Sequence, residues 1–300
     1  MKRTLILSLV LLSIAAAALA DSHGSWTANL DEKHPERIYF SFSHGRQSHM
    51  GNTMSLATFP ALSAAQIRSA STVPVHFDLR REAGTATFDG TFRNGDGAGQ
   101  YTFVPNANFL ASVRALGIDV RADRHGRHDG DDTEDELFAY ALHDVSTAFI
   151  RSMIAEGYRV SLDDYLSMRI FNVTPEYIHE LRALGFKDIG ADDVVSTRIH
   201  GVTPDYIRKM RAAGWNLTLD ELVSSRIHGA TPEFAEEMRK LGYGKLTHDD
   251  LVSFRIHGVT AEFIRELAAA GYKNVPAEKL IDMRIHGIDA KFIKKMNGAK

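Results

Sequence analysis

The second half of the chain carries apolar residues at helical spacing, and the whole pattern recurs. In each copy an aromatic residue is followed by an aliphatic one, usually Ile. A Met or Leu then occurs four positions after the aromatic residue. This spacing is typical of one buried face of a short helix. The aromatic positions are Phe149, Tyr177, Tyr206, Phe234, Phe263 and Phe292, and their partners are Met153, Leu181, Met210, Met238, Leu267 and Met296. We interpret this stripe as core and not as a ligand groove.

The copies are joined by a recurring segment that fixes their period; it reads Arg-Ile-Phe-Asn in the first copy and Arg-Ile-His-Gly in the other four. Its arginines are Arg169, Arg198, Arg226, Arg255 and Arg284, which follow one another at intervals of 29, 28, 29 and 29 residues. A fixed period in this range indicates a solenoid of structural repeats. Because isolated helices shorter than about 12–15 residues are marginal in water, stacking of the repeats is expected to stabilise them.

Capping residues predict where the two helices of each repeat begin and end. The first helix has a hydroxyl or Asp N-cap, followed in three copies by Pro at the first helical position, and it ends at Gly. These N-caps are Ser146, Thr174, Thr203, Thr231, Thr260 and Asp289. The second helix starts in three copies with a capping box, at Ser161, Thr218 and Thr247.

A further copy lies upstream, so the repeat array is predicted to cover residues 106–300. Phe109 to Gly117 matches a first helix and Thr133 to His143 matches a second one. The polar stretch Arg121 to Asp132 between them is interpreted as a loop inserted into this repeat. The array then contains about six two-helix units and the terminal half-unit Ile288 to Lys300.

Residues 21–105 alternate apolar and polar positions instead, which predicts strands. The predicted strands cover residues 37–43, 75–80, 85–92 and 100–104, with a tight turn at Glu82-Ala83-Gly84, and the polar segment 43–52 is interpreted as a loop whose two histidines could contact a ligand. The predicted fold class is therefore α+β: a small antiparallel β-domain followed by an α-solenoid.

The first twenty residues read as a signal peptide. Lys2 and Arg3 precede an apolar run that ends in Ala18-Leu19-Ala20, so cleavage is expected before Asp21. The alternative, an uncleaved anchor, is disfavoured because the run is shorter than the roughly 20 residues of a spanning helix. We expect an exported chain, periplasmic or secreted, with no membrane span after cleavage.

Composition excludes several function classes. The chain has 35 basic and 38 acidic residues and no Cys, so disulfides, thiolate metal sites and a basic nucleic-acid footprint are not expected. It contains no zinc-peptidase, serine-hydrolase, phosphate-loop or EF-hand motif. We therefore expect no catalytic residues, no metal site and no cofactor.

Two rows of charged or titratable residues run through the repeats. In the first, each arginine is hypothesised to pair with an acid seven residues later, joining neighbouring repeats; the pairs are Arg169 with Glu176, Arg198 with Asp205, Arg226 with Glu233, and Arg255 with Glu262. In the second, histidines near helix C-termini are expected to cap free carbonyl groups, and not to bind metal, because neighbouring repeats are about 8–10 Å apart. These are His143, His200, His228, His257 and His286, and a pH response of this row stays open.

The unit Val-Thr-Pro-Glu-Tyr-Ile-x-x-Leu-Arg-Ala-Leu-Gly-Phe at 173–186 resembles repeats of bacterial exported proteins of unassigned function. Similar repeats also occur behind membrane sensor metallopeptidases of the beta-lactam-response antirepressor type, and the β-segment from Arg81 to Phe103 resembles the domain that accompanies them. The peptidase and its zinc motif are absent from this sequence, so no catalytic residue carries over. The resemblance implies a bacterial envelope protein with a sensing or scaffolding role.

Two classes of function follow from these expectations. The first is a non-enzymatic interaction or scaffold protein whose helical repeats bind a protein or peptide, since repeat arrays present extended surfaces. The alternative is an envelope small-ligand sensor or enzyme that uses the loops of the β-domain. For the first, specificity is expected at positions that vary between repeats, such as His179, Lys209, Glu236 and Arg265.

Overall fold

The structure is a computed structural model that describes residues 22–44, 48–120 and 131–298. The predicted signal peptide, residues 45–47 of the predicted loop and residues 121–130 of the predicted insertion lie outside the described residues. The chain divides into two compact units, residues 1–169 and 170–300. An antiparallel sheet comes first and a series of short helices follows, which confirms the α+β fold class.

The first unit contains one sheet of six antiparallel strands. They are β1 (Ser22–Leu30), β2 (Arg37–His44), β3 (Ser48–Ser55), β4 (Val73–Arg81), β5 (Gly84–Arg93) and β6 (Asp96–Pro105), in the spatial order β3-β2-β1-β6-β5-β4. The predicted meander over residues 75–104 is present as β4, β5 and β6. Its turns lie at the predicted Glu82-Ala83 and at Asn94-Gly95, where both residues have positive φ (51° and 93°), as a tight hairpin turn requires.

Two strands of this sheet were not predicted from the sequence. β1 follows the expected cleavage site, and β3 includes part of the segment that we interpreted as a polar loop. β3 is an edge strand that pairs with β2 from Arg37 opposite Ser55 to His44 opposite Ser48. Main-chain hydrogen bonds hold such an edge strand, and its Ser, Asn and Gly side chains give little hydrophobic alternation to detect.

Aromatic side chains fill the buried face of the sheet. Trp26, Phe40, Phe77 and Phe88 are almost completely buried, and the rings of Phe77 and Phe88 stack with centroids 4.9 Å apart. A short helix, α1 (Ala64–Arg68), adds the buried Ile67 to this unit. Close aromatic packing of this kind is a large source of stability for a chain without disulfides.

Four further helices complete the first unit. They are α2 (Ala107–Ala115), α3 (Asp131–Leu142), α4 (Thr147–Ala155) and α5 (Leu162–Ile170). Helices occur where the upstream repeat was expected, with Asn106 as the N-cap of α2. Phe138 of α3 stacks on Tyr101 of the sheet at 4.8 Å, and the backbone N–H of Thr147 donates to a carboxylate oxygen of Glu82 at 2.9 Å. These contacts fix the first helices against the sheet.

The second unit consists of nine described α-helices and one π-helical segment, Arg239–Tyr243. The α-helices are α6 (Pro175–Ala183), α7 (Ala191–Ile199), α8 (Pro204–Ala212), α9 (Leu219–His228), α10 (Pro232–Met238), α11 (His248–His257), α12 (Ala261–Ala269), α13 (Ala277–Ile285) and α14 (Ala290–Gly298). The predicted caps are confirmed: the hydroxyls of Thr174, Thr203, Thr231 and Thr260 each accept a hydrogen bond from the backbone N–H three residues later.

The second helices of successive repeats lie side by side in the order α7, α9, α11 and α13. The aromatic and Met or Leu positions of the stripe are buried in α6, α8, α10 and α12, which confirms their interpretation as core. The last copy differs, because Phe292 and Met296 of α14 are 47% and 58% exposed.

Candidate functional site

Each arginine of the Arg-Ile-His-Gly segment lies between two repeats, in an arrangement that we name the repeat joint. Arg198 is in the last turn of α7, and its guanidinium carbon lies 4.8 Å from the centre of the Tyr177 ring on the first helix of the same repeat. Its Nε donates a 3.0 Å hydrogen bond to the backbone carbonyl of Phe171, which follows the second helix of the preceding repeat. One side chain therefore links three segments of backbone.

The same joint recurs along the array with little change. The guanidinium carbons of Arg169, Arg226, Arg255 and Arg284 lie 5.0, 5.0, 4.8 and 5.1 Å from the ring centres of Phe149, Tyr206, Phe234 and Phe263. Three of these arginines donate through Nε to a carbonyl, Arg169 to His143 at 2.8 Å, Arg226 to His200 at 3.0 Å and Arg284 to His257 at 3.3 Å. Each acceptor is a helix-terminal carbonyl that has no partner within its own helix.

The backbone beside each joint is left-handed, and the guanidinium lies close to it. Gly201 has φ 67°, and a Cβ atom added there would lie 2.8 Å from Nη2 of Arg226. In the first two joints Asp144 and Asn172 adopt the same conformation, with φ 55° and 53°. The Asp144 carboxylate adds ion pairs to Arg169 at 3.4 Å and to Arg81 at 3.2 Å. Gly287, by contrast, has φ 65° with nothing within 4 Å of the added atom.

These contacts differ from the predicted Arg–acid pairs. Among the ion pairs of the described residues, none joins a repeat arginine to the acid seven residues later. Asp205 pairs with Lys209 at 2.9 Å. The backbone N–H and the N-cap hydroxyl at the helix start lower the pKa of the Glu176 and Glu233 carboxyls. Glu176 and Glu233 therefore interact with their own helix start, whereas the arginines contact a ring.

The histidine row takes part in the joints mainly through its backbone. The carbonyl groups of His143, His200 and His257 are the arginine acceptors described above. Nδ1 of His286 lies 2.8 Å from the carbonyl oxygen of Asp282, the contact expected of a capping histidine. His143 is half-buried, and burial, together with the neighbouring Arg169 charge, lowers the pKa of its imidazole.

A row of exposed isoleucines was not singled out from the sequence. It contains the residue after each arginine: Ile199, Ile227, Ile256 and Ile285 are 49%, 55%, 56% and 56% exposed, while the apolar stripe residues of α6, α8, α10 and α12 are buried. Ile170 at the same position of the preceding repeat is 45% exposed. In the sequence, an isoleucine follows the arginine in all five repeats. This recurrence was the signal that could have identified the row.

The isoleucines belong to a striped surface that we name the isoleucine face. Residues three, four and seven positions before an Ile share its side of the helix. In α9 these are Ser224, Val223 and Asp220, in α11 they are Ser253, Val252 and Asp249, and α7 has the same residue types. The helices α7, α9 and α11 therefore each carry an acid in the first turn, a valine and a serine in the middle, and an isoleucine beside an arginine at the end, although Val252 of α11 is buried.

The positions that vary between repeats lie on the first helices, outside the isoleucine face. His179, Lys209 and Arg265 are exposed, and Glu236 is partly exposed. Arg265 pairs with Glu237 at 3.1 Å, and Glu236 pairs with Arg239 at 2.7 Å within its own helix. The structure thus separates the variable positions from the regular exposed row.

The sheet offers a second surface, of mixed polarity. Tyr39 and Val104 are 44% and 49% exposed on it. His76 Nδ1 lies 2.7 Å from a carboxylate oxygen of Asp89, and this contact raises the pKa of the His76 imidazole. Of the two loop histidines considered as ligand contacts, His49 is exposed in β3 and His44 ends β2.

The described residues were compared with what a metal site, a ligand cavity and a membrane-spanning helix each require. Within residues 22–44, 48–120 and 131–298, no group of three His, Asp or Glu side chains could hold a metal ion. An open cavity of about 240 Å³, lined mostly by apolar side chains such as Ile264 and Leu280, is smaller than a typical ligand site of about 300–1,000 Å³. None of the described helices combines the length and hydrophobicity that crossing a membrane requires.

No known family model matches this sequence, and neither a curated protein nor a solved structure is significantly similar to it.

Proposed function

We propose that this chain is a non-enzymatic interaction protein of the bacterial envelope, whose helical repeats bind a protein or peptide partner. The observation that carries the proposal is the row of half-exposed isoleucines, one in each second helix. Contiguous exposed apolar surface with a polar rim is typical of protein–protein contact sites.

Covering the isoleucine row with a partner would remove apolar surface from water and so release free energy. Fully burying an aliphatic side chain contributes roughly 1.5–3 kcal/mol, so covering four half-exposed isoleucines would contribute about 3–6 kcal/mol before the costs of association. The core needs no isoleucine at these positions, because the neighbouring repeats are already joined by arginine, ring and carbonyl. Packing within the array therefore gives the exposed isoleucines no role, whereas binding of a partner would.

The cellular location within this proposal rests on the sequence. The basic residues Lys2 and Arg3, the apolar run and the Ala-Leu-Ala site support export. The resemblance of the repeats to those of bacterial exported proteins supports the envelope. Fractionation of cells that express the full chain, followed by mass spectrometry of its N-terminus, tests this part: a mature protein that begins at Asp21 in the periplasm or medium is expected.

The binding part can be tested by capture from bacterial envelope extract with the full mature chain. The variant Ile199→Ser/Ile227→Ser/Ile256→Ser removes three members of the row, and Tyr39→Ser/Val104→Ser is the matched control, since it removes exposed apolar residues from the sheet. Thermal melts establish that both variants fold. A partner retained by the wild type and the sheet variant, and lost by the isoleucine variant, is the expected result.

The opposite pattern would contradict the proposal. A ligand or partner that is lost only from the sheet variant supports the alternative, a small-ligand sensor or enzyme that uses the β-domain. Capture that neither variant changes would place the binding site outside both surfaces.

A further inference from the structure

We propose that the open cavity in the second unit binds the C-terminal residue of a peptide, with an apolar side chain inside the cavity and the carboxylate beside Lys273. This inference rests on the proposed function, since it takes a peptide as the partner. Its evidence lies in a comparison between repeats, in the size and lining of the cavity, and in the charge of the residues around it.

A difference at one position of the repeat opens the cavity. In α8, the guanidinium carbon of Arg211 lies 5.3 Å from the ring centre of Phe186, an aromatic residue of the preceding repeat. The residues aligned with this pair in the repeat of α12 are Ala268 and Tyr243, and both line the cavity. Because the alanine side chain ends at Cβ, it cannot cover the tyrosine ring as the arginine covers the phenylalanine. The cavity therefore corresponds to the space that Arg211 fills beside α8.

The size and lining of the cavity fit one apolar side chain. Ile264, Leu267 and Leu280 supply aliphatic walls, and the hydroxyl of Tyr243 donates to the carbonyl of Val275 at 2.7 Å, which holds the tyrosine ring in place. The volume is about 240 Å³, and an apolar cavity of roughly 150 Å³ is enough to bind benzene. A leucine or phenylalanine side chain therefore fits, whereas a whole drug-sized ligand does not.

The charge around the cavity selects the group attached to that side chain. Among the described residues that line the cavity, Lys273 alone is charged, and it is exposed. The residue aligned with it in the repeat of α8 is the neutral Asn216. A positive charge here disfavours a cationic occupant and favours an anionic one. The C-terminal residue of a peptide carries its carboxylate on the same carbon as its side chain, so one residue supplies both groups.

Methyl-detected NMR of the full mature chain tests the inference, with acetyl-Gly-Ser-Gly-Leu as the probe. We expect saturable shifts of the methyl signals of Ile264, Leu267 and Leu280, and none with acetyl-Gly-Ser-Gly-Ser. The C-terminal amide of the leucine peptide should bind about two- to fivefold more weakly, because an exposed ion pair contributes modestly to affinity. Lys273→Gln should remove the difference between acid and amide.

Filling the cavity with a side chain of the protein itself should exclude the peptide. Ala268→Leu should weaken binding of the leucine peptide by at least about tenfold, because the apolar side chain of the peptide then stays in water. Ala268→Arg, which reproduces the residue type of α8, should do the same and replaces Ala268→Leu if that variant does not fold. Ala269→Leu is the matched control at the exposed neighbouring position and should leave binding unchanged. Thermal melts establish which variants fold.

Several results would overturn the inference. Shifts that persist in a folded Ala268 variant, or shifts that do not saturate, would exclude the cavity as the site, and equal binding of acid and amide would exclude the role of Lys273. The compound 4-methylpentanoate carries the same apolar group and carboxylate without a peptide chain, so tighter binding of it than of the peptide would identify a free acid as the ligand. The proposed function fails separately: an envelope partner that is lost from the isoleucine variant and retained by Ala268→Leu keeps that function and excludes only the cavity.

Discussion

The guanidinium carbon of Arg226 lies 5.0 Å from the centre of the Tyr206 ring, and the Nε of the same arginine donates a 3.0 Å hydrogen bond to the carbonyl of His200. Cation–π contacts contribute about 0.5–1 kcal/mol at exposed sites, and hydrogen bonds from charged groups about 1.5–3 kcal/mol. Among the described residues the ring contact occurs five times and the carbonyl hydrogen bond four times, so the joint is a recurring polar contact between successive repeats.

Replacing Arg226 by alanine is expected to lower the free energy of unfolding by about 1–3 kcal/mol, because the carbonyl of His200 and the ring of Tyr206 both lose their partner. Arg226→Lys should recover only part of the loss, since an ammonium group lacks the planar shape that contacts ring and carbonyl together. Urea denaturation measures both. Arg208→Ala, an exposed arginine outside the joints, is the control, and an equal loss there would contradict the joint's role.

Gly201 and Gly287 have nearly the same backbone conformation but different surroundings. Substituting each by alanine distinguishes the cost of backbone strain from the cost of a close contact with a neighbouring side chain. Gly201→Ala and Gly287→Ala both place a side chain at positive φ, 67° and 65°, which costs about 1–2 kcal/mol. Only Gly201→Ala also brings a methyl group to 2.8 Å from Nη2 of Arg226. We expect Gly201→Ala to lower the thermal midpoint clearly more than Gly287→Ala does. Equal midpoints would show that the guanidinium moves aside without cost.

The hydroxyl of Tyr177 is expected to stabilise its repeat more than that of Tyr206. The Tyr177 hydroxyl donates to the carbonyl of Val202 at 2.7 Å and lies 2.9 Å from the hydroxyl of the buried Thr197. Tyr206 donates to the carbonyl of Ala230 at 3.4 Å. Tyr177→Phe should therefore cost about 1–2 kcal/mol and Tyr206→Phe less, because the hydrogen bond from Tyr206 to its carbonyl acceptor is longer. Urea titrations that reverse this order would contradict the contact geometry.

His143 should make the stability of the chain fall on the acidic side of its ordinary pKa. Burial and the Arg169 charge lower the pKa of the folded imidazole below the ordinary value of 6.5. Above pH 6.5 the ring is neutral in both states and stability is complete. As the pH falls below 6.5, the unfolded chain binds a proton before the folded one, so the free energy of unfolding decreases until the folded pKa is reached.

Urea denaturation of wild type and His143→Gln between pH 7.5 and pH 5 measures this effect. The advantage of the wild type over the variant should shrink as the pH falls through 6.5. His228→Gln, at an exposed position of the same row, is the matched control for loss of a histidine from a helix end. A constant difference between wild type and His143→Gln would refute the prediction.

The elements of this fold that carry periodic signals could be predicted from the sequence. Thr174, Thr203 and Thr231 precede Pro at helix starts, and all three cap as expected. The meander of β4, β5 and β6 alternates clearly and has a Gly-containing turn. β3 could not be found in this way, because its mostly polar sequence Ser-His-Met-Gly-Asn-Thr-Met-Ser shows too weak an alternation, and pairing with β2 specifies the strand.

Side-chain partners were harder to predict than elements. The regular spacing of Arg198 and Asp205 suggested an ion pair, but the arginine contacts Tyr177, which precedes it by 21 residues, and the carbonyl of Phe171. Sequence spacing indicates which residues recur together, while contact also depends on the direction of the side chain. A main-chain acceptor leaves no trace in residue identity, so the carbonyl could not be inferred.

That acceptor has a consequence for how such a chain changes length. Because the joint arginines contact a ring within their own repeat, and four of the five donate to a backbone carbonyl of the preceding repeat, the fit between neighbours does not require a matched pair of side chains. After duplication or deletion of one whole repeat, the two repeats that become neighbours would still have the arginine, the ring and the backbone carbonyl that form the joint. An array built on this contact can therefore grow or shrink by whole repeats without compensating substitutions at the new junction.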